Sequence, residues 1–365
     1  MADIIFTILR DSPIKPHSLW PKIYYWIESF IGNYGWTIFI FTLFVRLIVL
    51  PLDFYNKYST RKNTFIQKRL SGQVRRINEK CGNDKNKSNQ QVNALYKKEG
   101  YNMVGSCVFT LLNLVVTLVV FFSFFNSLKS ISSYKMLDQY YVLEQTYEQT
   151  EGTLEDKQNA VAVKYEEIKK DSSWLWVQNI WRKDGKASVV PSYTELSKAV
   201  KSSKSYSEYI ESITEEEYNN VMGGLISTGS NWNGYYILAI LAGVLSYVSQ
   251  LINDFMNRSK NEPKKQNNDD QLGATNKILK IVMPLIMVIF VLTSTASFGI
   301  YILSSTLIGI ITSVLTSFLV NRLTRKEEEK YLAYLEKEIM MEKKITKKKP
   351  QMVNYKRIGD RLWIL

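Results

Sequence analysis

Apolar residues along this chain gather into a few long blocks, set apart by strongly polar segments. The first block, Gly32–Leu52, suits a bilayer throughout except at Arg46. Three further runs contain no Asp, Glu, Lys or Arg: Gly100–Leu128 (29 residues), Tyr218–Asn253 (36) and Ile281–Asn321 (41). A helix needs about 20 apolar residues to cross the hydrocarbon core. The last run would be about 60 Å long as one helix, roughly twice the core, so it must fold back. Thr293–Gly299 (TSTASFG) supplies the turn. The pattern therefore predicts an all-α polytopic membrane protein with five spans, near 34–52, 103–125, 233–251, 278–292 and 298–320, with Pro284 kinking the fourth.

The polar segments carry their own periodicities. In residues 1–32, Leu19, Trp20, Ile23, Tyr24, Ile27, Phe30 and Ile31 follow helical spacing, predicting a short amphipathic helix on the membrane surface. Residues 53–99 hold twelve Lys/Arg against four Asp/Glu. Ile66, Leu70, Val74 and Ile77 form one apolar stripe there, Cys81–Asp84 is a stop followed by a start, and Val92, Leu95 and Tyr96 repeat the apolar face. The segment reads as an antiparallel helical hairpin joining spans 1 and 2 within residues 33–126. Residues 127–232 form a large acidic and aromatic segment, predicted helical over 127–167 and broken at Met222–Gly224 and Gly229. Its Trp174, Trp176 and Trp181 suit either an interfacial anchor or a small core. Spans 3–5 occupy 233–320, with a polar linker at 254–277 expected to be disordered at its centre. The basic tail, 321–365, carries thirteen Lys/Arg and seven Asp/Glu and continues as a charged helix.

Charge fixes an expected orientation. The formal net charge is +13, and the Lys/Arg excess lies in the hairpin and the tail, whereas 127–231 has twelve Lys/Arg against sixteen Asp/Glu. The bias of Lys and Arg toward the cytoplasm then predicts N-terminus outside, C-terminus inside and a cytoplasmic hairpin. Two cysteines, Cys81 and Cys107, cannot build a disulfide framework, and the single histidine, His17, excludes His-rich metal or triad chemistry. No cleaved signal peptide is expected, because Ile4–Leu9 is too short for its apolar core.

Arg46 is the anomaly in this pattern. Its guanidinium stays charged, and at bilayer depth it costs about 2.5–3.5 kcal/mol on insertion scales. It lies six residues before Leu52, about 9 Å of helix, so one reading has it snorkel to headgroups. Another has polar faces solvate it: Ser106, Thr110, Asn113 and Thr117 share a face of span 2, Ser246 and Gln250 one of span 3, and Ser305, Gly309, Thr312 and Thr316 one of span 5. Such hydroxyls can equally serve helix packing.

The chain resembles the YidC-type (Oxa/Alb superfamily) membrane protein insertases. Asn33-Tyr34-Gly35-Trp36, then Thr42–Leu47 and Leu50-Pro51-Leu52, look like the family's first core span with its single arginine. Leu95–Asn102 is similar to the entry to the second, Trp174-Leu175-Trp176 to an outer-loop motif, and Leu238–Tyr247, Ile278–Met287 and Ile300–Thr306 to the last three. The chain departs from the family's pattern at Phe109 and Val115, where prolines are usual, at Asn113 for glutamine and at Ile302 for tryptophan, and its outer segment is longer. The resemblance implies a hydrophilic groove open to the cytoplasm and lipid, drawing on Arg46, Thr42, Asn113, Thr117, Ser246, Gln250, Ser305 and Thr312. It implies nascent membrane proteins as clients, a bacterial plasma membrane location, and the Sec translocase, ribosome and targeting factors as partners. Anionic lipids could hold the hairpin; DNA is not expected as a partner. No bond is made or broken, so no catalytic residue, metal or cofactor is expected. A small-solute transporter or channel is the alternative, but it would need an intramembrane carboxylate or broken, repeated helices, and the spans contain no Asp or Glu.

Overall fold

The computed structural model describes residues 14–101, 103–257 and 270–361. Eleven helices are formed among them and no strand: α1 Leu19–Ile31, α2 Tyr34–Cys81, α3 Lys85–Lys98, α4 Met103–Gln149, α5 Leu154–Ser172, α6 Tyr193–Lys201, α7 Ser207–Glu211, α8 Glu215–Thr228, α9 Ile237–Asn257, α10 Asp270–Thr293 and α11 Ala296–Arg361. Four are long and apolar enough to cross a membrane: α2, α4 from Val108, α9 and α11. The described apolar part of α10, Lys280–Thr293, is shorter. The centre of the 254–277 linker and the short apolar run at Ile4–Leu9 fall outside the described residues.

Several boundaries differ from the sequence reading, each for a local reason. The span expected to end at Leu52 continues through Pro51 to Cys81. A mid-helix proline costs about 3 kcal/mol, yet α2 runs unbroken through Pro51. The helix expected over 127–167 is interrupted between Gln149 and Leu154. Gly152 takes a left-handed φ of 129°, and Thr153 and Asp156 form a reciprocal capping box that starts α5. The break expected at Met222–Gly224 does not occur; both glycines lie inside α8, facing the Gln158 side chain closely enough that a Cβ at Gly224 would be 3.1 Å from its Oε1. The turn in the last apolar run falls where expected, between Thr293 and Ala296.

The chain divides into two units. In described residues, the first comprises 14–50, 116–253 and 270–312, and the second 51–101, 103–115, 254–257 and 313–361.

The core of the first unit is aromatic. Trp20 of α1 meets Phe41 of α2 edge to face, Phe41 stacks on Phe124 of α4 at 4.6 Å, and Phe124 meets Tyr301 of α11 at 4.6 Å. The α1 face expected to rest on a membrane thus packs in part into protein, with Tyr24 and Ile27 buried and Leu19 and Phe30 exposed. Lys135 of α4 pairs with Glu28 of α1 at 2.9 Å and lies 4.1 Å over the Tyr34 ring. Residues 127–232 form a helical cap built from the end of α4 and α5–α8. Trp174 and Trp181 are buried in its core with Leu137, Tyr140 and Tyr218, which resolves the tryptophan alternative toward packing.

The cap fixes the starts of three helices. Asn33 accepts from the Gly35 and Trp36 amides and donates to the Lys170 and Ser173 carbonyls. A Cβ at Gly35 would collide with the Trp174 indole, so only glycine admits that ring. The buried Asp184 carboxylate accepts the Leu238 amide at the start of α9, the position where helix dipoles favour an anion. The Ile180 and Arg182 carbonyls accept the Ser297 and Ala296 amides that open α11, each at 2.7 Å. Asn233, fully buried, ties this loop together through the Asn179 amide and the Asn179 and Lys183 carbonyls.

In the second unit, α2 turns at Gly82–Asn83 and α3 returns alongside it. Asp84 caps α3 through the Lys87 amide, Ser88 donates to Asn78, Gln67 to Tyr101, and Arg69 pairs with Glu99 at 2.8 Å. Half of the predicted stripe is buried: Ile66 and Leu70 are, Val74 and Ile77 are only half-buried, and Phe65 beside it packs with Tyr331 and Leu335 of α11.

Candidate functional site

Arg46 lies on α2 six residues before Leu52, half-buried in the first unit. Its Nη2 donates to Ser305 Oγ of α11 at 2.7 Å. One turn further along α11, Gly309 leaves room beside the guanidinium: a Cβ there would stand 3.6 Å from Nη2. One turn before Ser305 comes the buried Tyr301, the last member of the Trp20–Phe41–Phe124–Tyr301 layer. The cation therefore has an aromatic, close-packed layer toward the cap and small or hydroxylated residues the other way. Among the described residues no carboxylate is paired with it.

The other predicted site residues divide by environment. Thr42 is buried one turn before Arg46, with its hydroxyl committed to the Ile38 carbonyl. Thr312 likewise donates to Ile308 and Gly309 carbonyls of its own helix. Both polish a polar helix face without reaching Arg46, the back-bonding expected of threonine in a helix. Ser246 and Gln250 of α9 are half-buried and make no side-chain hydrogen bond to described residues. Thr117 is exposed on α4. Asn113 belongs to the second unit, where its Oδ1 is buried without a hydrogen-bond partner. An unpaired buried amide oxygen costs about 1–3 kcal/mol unless water or a ligand reaches it. The structure thus joins Arg46 to Ser305 and Gly309 directly, and does not join the remainder into one set.

A second cation was not singled out from the sequence. Lys57, half-buried in the second unit, donates to Ser313 Oγ at 2.7 Å and to its carbonyl at 3.2 Å, with Thr316 Oγ1 at 3.2 Å and Ser317 Oγ at 3.4 Å. A signal existed: Lys57 follows Arg46 by eleven residues, about three helical turns, so both project from one face of α2. Nearby Asn56 accepts from Thr110 at 3.0 Å, and Arg61 donates to the Met256 carbonyl at 3.0 Å. No group of His, Cys, Asp or Glu among the described residues is arranged to hold a metal.

Long apolar helices, a cation held between two of them, and a packed cap over their ends define a multi-pass helical membrane protein. The 60Kd inner membrane protein family model matches residues 26–325, most of the chain. The chain belongs to this family, that of the YidC-type insertases.

Proposed function

We propose that the protein inserts newly made membrane proteins into the bacterial plasma membrane through a polar groove centred on Arg46. The single observation that carries this is the Arg46 guanidinium, bonded to Ser305, free of any carboxylate partner among the described residues, and flanked by Gly309. A cation at membrane depth with unfilled donor capacity attracts an acidic residue of a client in transit, and a low surrounding dielectric strengthens that attraction. The aromatic layer at Tyr301 closes the groove toward the cap, while Ser246, Gln250 and Thr312 extend its polar side; water among them lowers the cost of the charge. In this reading α10, 24 residues long, is the fourth of five spans. The termini are out and in respectively, the cap lies outside, and the α2–α3 hairpin lies in the cytoplasm, as the Lys/Arg distribution requires. The basic hairpin and tail are suited to targeting factors, anionic lipid and ribosomal RNA, and the Sec translocase is a natural collaborator. The work is positioning and solvation, with no chemical step.

Complementation of cells depleted of their own insertase tests the reading. Arg46→Ala should fail to restore growth while Arg46→Lys restores it, with equal amounts of both proteins in the membrane. Full rescue by Arg46→Ala would contradict the groove charge.

A further inference from the structure

In the first unit, α4 exposes Leu118, Val119 and Phe122, and α10 exposes Leu285, Ile289 and Phe290. Both apolar surfaces end together. On α4 the first charge after the long uncharged run is Lys129, and on α10 the chain turns at Ser294–Thr295. At that level a cavity of about 370 Å³ opens between α4, the α10–α11 turn and the cap. Its floor is formed by Phe125, Leu128, Phe290 and Phe298, and its rim carries Lys129 and Lys183.

Neither lysine is paired with a carboxylate among the described residues; Lys129 Nζ only lies 4.8 Å over the Phe125 ring. Of the lining hydroxyls, Thr293 donates to the Ile289 carbonyl and both Ser133 and Ser202 to that of Ala199, and the two ammonium groups are the charged donors of the cavity. Two like charges lining one cavity repel unless an anion lies between them. A soluble anion would have no use for four apolar floor residues, and a purely apolar ligand none for two lysines.

We propose that this cavity binds an anionic phospholipid drawn from the bilayer. Its phosphate sits between Lys129 and Lys183, and the start of an acyl chain runs over Phe298 and Phe290. The proposal does not depend on the insertase reading.

Native mass spectrometry of the delipidated full chain, titrated with phosphatidylglycerol, tests it. The tightest bound lipid should weaken roughly tenfold or more in Lys129→Gln/Lys183→Gln, since each interfacial lysine contributes about 1 kcal/mol. The control Lys170→Gln/Lys186→Gln should leave it unchanged. Phosphatidylcholine should bind less tightly, and inorganic phosphate should not displace the lipid. A photoreactive phosphatidylglycerol should label peptides within 125–136 or 290–298 of the unaltered protein, which holds even where a variant folds poorly. Unchanged binding in the double variant, equal binding of phosphatidylcholine, displacement by phosphate (a free-anion site) or labelling confined to other regions would each overturn it.

Discussion

Arg46 shows how little room one residue leaves for alternatives. Its hydrogen bond to Ser305 is of the charge-assisted kind, worth about 1.5–3 kcal/mol. Ser305→Ala should therefore lower insertion in reconstituted vesicles without removing the protein from the membrane. Gly309 discriminates further. A methyl there would make ordinary contact with the guanidinium, so Gly309→Ala should insert clients normally, whereas Gly309→Phe should displace Arg46 and impair insertion. These three residues were legible in the sequence, because a lone charge in an apolar block and a small-residue face at helical spacing are both visible without coordinates. Lys57 carried only a weak sequence signal, its three-turn register with Arg46, which is lost among the twelve basic residues of the hairpin segment. The Ser313, Thr316 and Ser317 hydroxyls set it apart in the structure.

At the scale of elements, the cap is where sequence and structure diverge most. Its helix breaks are set by side-chain caps at Thr153, Ser192 and Thr214, each with an acidic residue three positions on. That signal was present in the sequence but weaker than the paired glycines of α8, which turned out to be packing positions. The Trp174 indole over Gly35 joins the cap to the start of α2. Gly35→Ala should lower the melting temperature followed by tryptophan fluorescence, by an overpacking cost of about 1–3 kcal/mol. An unchanged melt would show that the ring is free to move away. A pH dependence belongs here too. Burial alone would raise the Glu195 carboxyl, but the Ser192 amide and the Arg182 guanidinium, 2.7 Å away, hold it below the ordinary range. A carboxyl depressed on folding stabilises above its unfolded value, near pH 4.3, and loses that contribution as pH falls through the folded value. Melts of the unaltered protein should thus decline more steeply below about pH 4.3 than those of Glu195→Gln.

At the scale of the molecule, apolar run length and charge distribution carried most of the architecture. The long uncharged blocks became α4, α9, α10 and α11, and the basic segment became the α2–α3 helical pair. The charged helix expected after the last apolar run is present in α11, and α2 and α4 likewise run unbroken past their apolar stretches, α2 where Phe65 finds Tyr331. The proposed topology predicts that, with Cys81 and Cys107 replaced, a cysteine at exposed Lys186 reacts with an impermeant reagent from outside intact cells. One at exposed Lys85 should react only after lysis. The central claim, that Arg46 waits for an anion brought by the client, is tested most directly by a double-mutant cycle between the protein and a client whose translocated segment carries a single aspartate. Arg46→Ala should slow insertion of the aspartate client strongly and that of its Asp→Asn counterpart hardly at all. Equal slowing of both clients, or of neither, would contradict it.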